Sequence, residues 1–334
     1  MKFGVRLLDD VGGPEELVAL AVRAEELGFD AIWFPHDAFR LHSWVLTSAT
    51  AQATKRVQLY ARTNLYTSDP SEIAAYVATL DALSNGRANV SIGLHTVQML
   101  KWLGIDGSDV LQRTRETVEI LRSLFRGEKT PYQGKNFHWT DNCFLRVPPL
   151  RPDVPIYVCP YGGQFGERFL ELSGELGDGS LPMITPPESA KVMTAPVWRG
   201  VEEAGRSRSN FDMVGFVWIS VSEDGSGTAE LMRDVAAYFG AYLDEPALNT
   251  IGLSQGDFFP LRDLIQSGRK DEALQMVRPD MLRLGITGTP DDCIRQLGLL
   301  ADAGVTQVSL GGPLGPDPKA ALELIARRIL PAFR

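Results

Sequence analysis

Cysteine is scarce. Cys143, Cys159 and Cys293 are the whole complement, odd in number and without a CxxC pair. That pattern speaks against a disulfide framework and a zinc cluster, and it fits a reducing, cytoplasmic setting. Positive charge is also short: the net charge of -9 and a pI near 5.1 exclude general attraction to nucleic acid or anionic membranes. Any anion must therefore be held by a local site. Long apolar runs are missing, since no stretch approaches the ~18 residues of a membrane helix. The opening MKFGVRLLDD turns acidic before a signal-peptide core forms. No Walker loop, HExxH, GxSxG, metal-ligand spacing, internal repeat or charge block occurs. A soluble, cytosolic small-molecule protein is expected.

What remains is ordinary globular composition, with 44% hydrophobic and 22% charged residues in a 334-residue chain. The most telling stretch is Asp69 to Thr96. Asp69, Pro70 and Glu72 read as a helix N-terminus with a capping box, Ile73, Val77 and Leu80 recur at helical spacing, and Asn85-Gly86 supplies a left-handed stop. Ala88 to Ile92 then reads as a strand with Val90 and Ile92 on one side and Asn89 and Ser91 on the other. A polar second face directly after a helix is expected where that face lines a barrel interior. Gly93 ends the strand and is expected to let a ligand approach the backbone.

The same alternation runs through the chain. Strands are expected at Lys2 to Leu8, Ala31 to Phe34, Val57 to Ala61, Ala88 to Ile92, Pro155 to Val158, Gly179 to Met183, Met213 to Val221 and Thr306 to Leu310. Helices are expected at Pro14 to Leu27, Ser43 to Ala53, Asp69 to Ser84, Asp109 to Phe125, up to Gly174, Pro187 to Ala204, Gly225 to Tyr242, Thr289 to Asp302 and Pro318 to Ile329. Eight strand-helix units call for parallel strands with helical crossovers, and the polar inner face favours one closed α/β (β/α)8 TIM barrel over 1–334. Such barrels typically need ~250 residues. The irregular stretches 126–150 and 243–288 read as insertions that absorb most of the excess.

Ligand sites in this fold lie at the C-terminal ends of the strands. His36 and Asp37 follow the second strand, and His95 follows the fourth. Titratable groups converging there are candidates for proton transfer, against the plainer reading that each caps a turn or helix. His42 reads as a residue at the start of a helix and His138 as structural. Gly162, Gly163 and Gly166 surround a helix start that would hold an anion, a weak signal on its own. The run Gly311 to Pro316 is similar. Arg6 and Arg62 are candidate anion partners, Arg62 the stronger by position. The rings of Trp102, Trp139 and Trp218 could wall an aromatic ligand, with core packing the better expectation for each.

Four segments carry a resemblance: ATLDALSNGRANVSIG (78–93), RETVEILRSLFRGEK (115–129), PIYVCPYGG with SGELGDG (155–179), and TPDDCIRQLGLLADAGVTQVSLGGPLGPD (289–317). In this order they resemble the bacterial-luciferase-like superfamily, most of all its coenzyme F-420-dependent oxidoreductases such as methylenetetrahydromethanopterin reductase. The resemblance implies a barrel, commonly a homodimer, that moves a hydride with a deazaflavin (8-hydroxy-5-deazaflavin) or flavin at the strand ends. It implies cofactor contacts at Ala61, Arg62, Thr63, Asn64, Gly93, Leu94, His95, Gly162, Gly163 and Gln164, and a non-proline cis peptide at Ala61-Arg62. His36 is implied as proton donor or ring contact with Asp37 orienting it, and Arg6 as a substrate anchor. Departures accompany it. Pro35-His36-Asp37 inverts the usual Asp-His, Arg6 stands where a carboxylate is usual with Asp9 or Asp10 as possible substitutes, and Leu94-His95 replaces Pro-Gly. These departures point away from methylenetetrahydromethanopterin as substrate. The competing readings are an FMN-dependent monooxygenase, a flavin-independent methylenetetrahydrofolate reductase using NAD(P)H, and a non-catalytic flavin-binding paralogue.

Overall fold

The structure, a computed structural model, describes residues 1–94, 97–160 and 166–334. Among them are β1 (Lys2–Arg6), β2 (Ala31–Phe34), β3 (Gln58–Asn64), β4 (Ala88–Gly93), β5 (Tyr132–Gln133), β6 (His138–Trp139), β7 (Ile156–Cys159), β8 (Gly179–Ser180), β9 (Asp212–Val221), β10 (Ile286–Gly288) and β11 (Gln307–Leu314). Eight of them close in the order β1-β2-β3-β4-β7-β8-β9-β11, every pairing parallel, with β11 returning to β1 through Lys2↔Gln307 to Arg6↔Gly311. The expected barrel is thus observed. β10 extends the edge of β9 at Ile219 to Val221, and β5 with β6 forms a separate hairpin in the first insertion. The second insertion folds into short helices between Glu245 and Leu284.

Period-two patterning explains the layers. Val5, Ile32, Leu59, Val90, Ile92, Val158, Val217 and Leu310 pack outward against the helices, while Trp33, Tyr60, Tyr157, Cys159, Phe216 and Trp218 point inward. Each fully buried aliphatic or aromatic side chain contributes roughly 1.5–3 kcal/mol. The lower half of the barrel is plugged by rings: Trp33 stacks on Tyr60 at 3.5 Å and meets Tyr157 edge-on. The Tyr157 hydroxyl donates to Asp212 at 3.0 Å, and burial pushes the Tyr60 and Tyr157 phenols up, so both stay protonated donors. The upper, C-terminal half remains open.

The helices that frame that half are α1 (Pro14–Glu26), α2 (Ser43–Ala53), α3 (Pro70–Ser84), α4 (Val97–Trp102) and α5 (Val110–Phe125). The start of α3 is capped by Asp69, but Ser71 answers its carboxylate through N–H (2.9 Å) and hydroxyl, not Glu72. Asn85 takes the left-handed stop, φ 56°. His42 does cap α2, accepting from the Trp44 N–H.

Candidate active site

A cleft with about 1200 Å³ of atom-free space, open to solvent, lies above the aromatic plug. Its base and walls come from strand ends that the fold forces together: Arg6 and Leu8 after β1, Asp37 after β2, Arg62 on β3, Leu94 after β4, Cys159 on β7, and Phe216 and Trp218 on β9. Gly311 and Gly312 line it from β11, which runs to Leu314 rather than stopping at Leu310. Trp218 is therefore a wall of the cleft rather than only core. Trp102 is 60% exposed, contrary to the core packing expected of it, and Trp139 is half-buried in the hairpin.

The His36-Asp37 pair divides. Asp37 faces the cleft, while the His36 ring is drawn toward the start of α2, edge-on to His42 at 4.8 Å and near Trp44. Its Nδ1 lies 2.9 Å from Ser43 Oγ. Ser43 Oγ in turn donates to the Arg62 carbonyl at 3.1 Å, and Trp44 Nε1 donates to the same oxygen at 3.1 Å. A hydroxyl has one proton, and Ser43 uses it on Arg62, so His36 donates from Nδ1 and its Nε2 carries the lone pair when the ring is neutral. Ser43 and Trp44 had not been singled out from sequence. Their signal was only their place at the N-terminus of the helix after a strand-end histidine.

At β3 the register Ala61↔Val90, Arg62↔Ser91, Thr63↔Ile92, Asn64↔Gly93 runs unbroken. The Ala61-Arg62 peptide is trans, against the expected non-proline cis bond, because the ladder holds this segment extended. The cis bonds among the described residues precede Pro186 and Pro313. Alternation sends Ala61 outward into the core with Leu59, and Thr63 stands on that same face, so neither side chain reaches the cleft. Arg62 does, with Nη2 donating to the Leu94 carbonyl at 3.3 Å. Asn64 shares the Arg62 face. Its Oδ1 accepts from the N–H groups of Tyr66 and Thr67, while its buried Nδ2 has no partner among the described residues.

Gly93 also has a packing role that was not expected. A β-carbon there would stand 2.7 Å from the Cys159 carbonyl oxygen and 2.9 Å from Arg62 Nη2, so the glycine admits Arg62. Ser91 Oγ sits 3.0 Å from Cys159 Sγ, the inward polar face that Asn89 and Ser91 announced. His95, Gly162, Gly163 and Gln164 lie outside the described residues.

Arg6 ends β1 half-buried at the base of the cleft, its guanidinium 4.1 Å from the centroid of the Phe216 ring. Desolvation lowers its pKa below the ordinary arginine value, with Asp37 opposing that and Arg62 adding to it. An arginine remains charged regardless. At the rim, Arg40 Nε pairs with Asp9 at 2.7 Å, which removes Asp9 as a stand-in for a catalytic carboxylate, while Asp10 stays on the cleft wall.

Aromatic walls, an unsatisfied amide N–H near the mouth and guanidinium donors fit a flat heteroaromatic ring with a hydrogen-bonding edge. A closed parallel barrel with such a mouth defines the class of (β/α)8 barrels that take a small molecule at the strand ends. The sequence profile of the luciferase-like monooxygenase family matches residues 1–307, and the chain belongs to that family. It is similar to the 5,10-methylenetetrahydromethanopterin reductase of Archaeoglobus fulgidus, 32% identical over 340 residues and covering all of both chains. An F420-dependent glucose-6-phosphate dehydrogenase of Rhodococcus jostii is 27% identical across 100% of this chain and 98% of that one. The solved coenzyme F420-dependent tetrahydromethanopterin reductase from Methanopyrus kandleri superposes with a TM-score of 0.91 at 26% identity, covering 100% and 99%.

Proposed function

We propose that this protein exchanges a hydride between coenzyme F420 and a small organic substrate bound in the same cleft. The observation that carries the reading is the open barrel mouth itself, walled by Trp33, Phe216 and Trp218 and edged by Asp37, Arg62 and Leu94. Relatives along the full chain are named as F420-dependent enzymes. When bound, the deazaflavin supplies hydride exchange at its C5; the protein supplies orientation and charge.

Of the two carboxylates that line the cleft, Asp10 and Asp37, the proton-transfer role is given to Asp37, at the end of β2. In the oxidising direction it accepts the substrate proton, and in the reverse direction it returns it. His36 acts one layer back as a positioning residue. Through Ser43 it ties the end of β2 to the Arg62 carbonyl, and so fixes both Asp37 and Arg62. Arg62 and Asn64 hold the edge of the ring, and Leu94 and Trp218 exclude water from its faces. Gly162, Gly163 and Gln164, which precede in sequence the helix described from Gly166, are proposed to hold the anionic tail.

Stopped-flow reduction of coenzyme F420 with glucose 6-phosphate, and oxidation of its reduced form with methylenetetrahydromethanopterin, test the roles on whichever substrate turns over. Asp37→Asn is expected to lower kcat by roughly 10²-fold or more with cofactor affinity intact. His36→Ala and Ser43→Ala are expected to cause similar, smaller losses, since each removes the same link. Full turnover by both Asp37→Asn and His36→Ala would show that the site is assigned wrongly.

A further inference from the structure

Arg6 is placed where a charge is costly and, among the described residues, is given nothing to bond. It ends β1 in register between Trp33 of β2 and Gly311 of β11, with its side chain turned into the barrel. Its guanidinium lies over Phe216, which orients the plane of the fork and leaves its edge for a partner. Among the described residues no carboxylate stands within ion-pair distance and no acceptor takes its N–H groups. Arg62 adds a second positive group to the same mouth and, among the described residues, gives one hydrogen bond, to Leu94. Asp37 and Asp10 attract Arg6 through space, and Arg62 repels it. By contrast Arg40, at the rim of the same cleft, is neutralised by Asp9.

A neutral ligand filling this cleft would leave the five donors of the Arg6 guanidinium without an acceptor. An anion with two coplanar oxygens supplies that acceptor, because it matches the fork bidentately in a site walled by aromatic rings. The position is informative as well. The guanidinium sits against the base of the cleft, beside Phe216 and above the Trp33-Tyr60 stack, not on an outer loop. The group it receives belongs to the end of the ligand that enters first, and an anionic cofactor tail reaching outward to solvent would not lie there.

We infer that the substrate of this enzyme carries a carboxylate or phosphate group held by Arg6, with Arg62 beside it, at the base of the cleft. The inference rests on the oxidoreductase reading above only for calling that ligand the substrate.

Calorimetric titration of the intact protein with benzoate, phenyl phosphate and benzamide tests it, three probes of similar shape that differ in charge. At least one of the anions is expected to bind tenfold or more tightly than benzamide, and whichever anion leads identifies carboxylate or phosphate as the natural group. Arg6→Gln is expected to abolish the preference, Arg6→Lys to retain part of it, and Arg126→Gln, on the far surface, to leave it unchanged. Equal binding of anions and benzamide by the unmodified protein would overturn the inference with no variant needed. So would a preference that survives in Arg6→Gln, or one abolished by competition with saturating coenzyme F420, which would give the site to the cofactor. Anion preference in a protein that fails to take up coenzyme F420 would instead keep the anion site and remove the oxidoreductase reading.

Discussion

Gly93 shows how much one missing β-carbon decides. Space for a methyl group there is already taken by the Cys159 carbonyl and the Arg62 guanidinium. Gly93→Ala is expected to destabilise the fold by ~1–3 kcal/mol, as overpacking does, and to push Arg62 off the Leu94 carbonyl. Urea denaturation measures the first effect, and weakened coenzyme F420 binding the second; an unchanged midpoint would show that β4 relaxes around the methyl. The sequence marked Gly93 as special without revealing this packing role. Glycine after a strand signals close approach, but not by what, and the arm of Arg62 crosses from another strand in a way no periodicity encodes. The same holds for His36 and Asp37. Their place at a strand end was legible, whereas the capture of His36 by Ser43 depends on how α2 docks, and that inverted which of the two faces the cleft.

At the scale of elements, boundaries followed local chemistry closely where caps and turns were strong. β2 and α2 begin and end where alternation and helical spacing put them, and β3, β8 and β11 do not. β3 continues to Asn64 because β4 offers partners up to Gly93, and β11 continues to Leu314 beside Ser220 of β9. Strand length there is set by the neighbour, which a single segment cannot reveal.

The first insertion shows an element fastened by one acid. Glu116 of α5 is fully buried and accepts from the backbone N–H groups of Lys135 (2.7 Å) and Asn136 (2.8 Å) and from the Gln112 amide (2.8 Å). Burial pushes its pKa up, but these donors outweigh burial and hold the carboxyl below the ordinary glutamate value. A depressed pKa means the stabilisation is complete above the unfolded value of about 4.3 and is lost as pH falls through the folded one. Glu116→Gln is therefore expected to cost ~2 kcal/mol at pH 7. The difference from the unmodified protein should narrow below pH ~4, where glutamate itself is protonated in both states. Denaturant midpoints at the two pH values check the sign; a penalty independent of pH would assign the loss to packing.

At the scale of the whole molecule, alternation of eight strand-helix units and the polar inner face of β4 were enough for a closed barrel. Closure then fixed the end at which a ligand binds, before any motif was considered. Cofactor and substrate were less legible, since they depend on which side chains from eight strands meet at one end. Arg6, Asp37, Arg62, Cys159 and Phe216 span 211 positions of sequence and one cleft. No helix among the described residues is long and apolar enough to cross a membrane.

Titration of the purified protein with coenzyme F420 and, separately, with FMN, followed by absorbance and fluorescence, tests the central claim most directly. The account predicts saturable binding of the deazaflavin and its reduction or reoxidation in the presence of substrate, with FMN bound weakly. Tight uptake of FMN with none of the deazaflavin would contradict it.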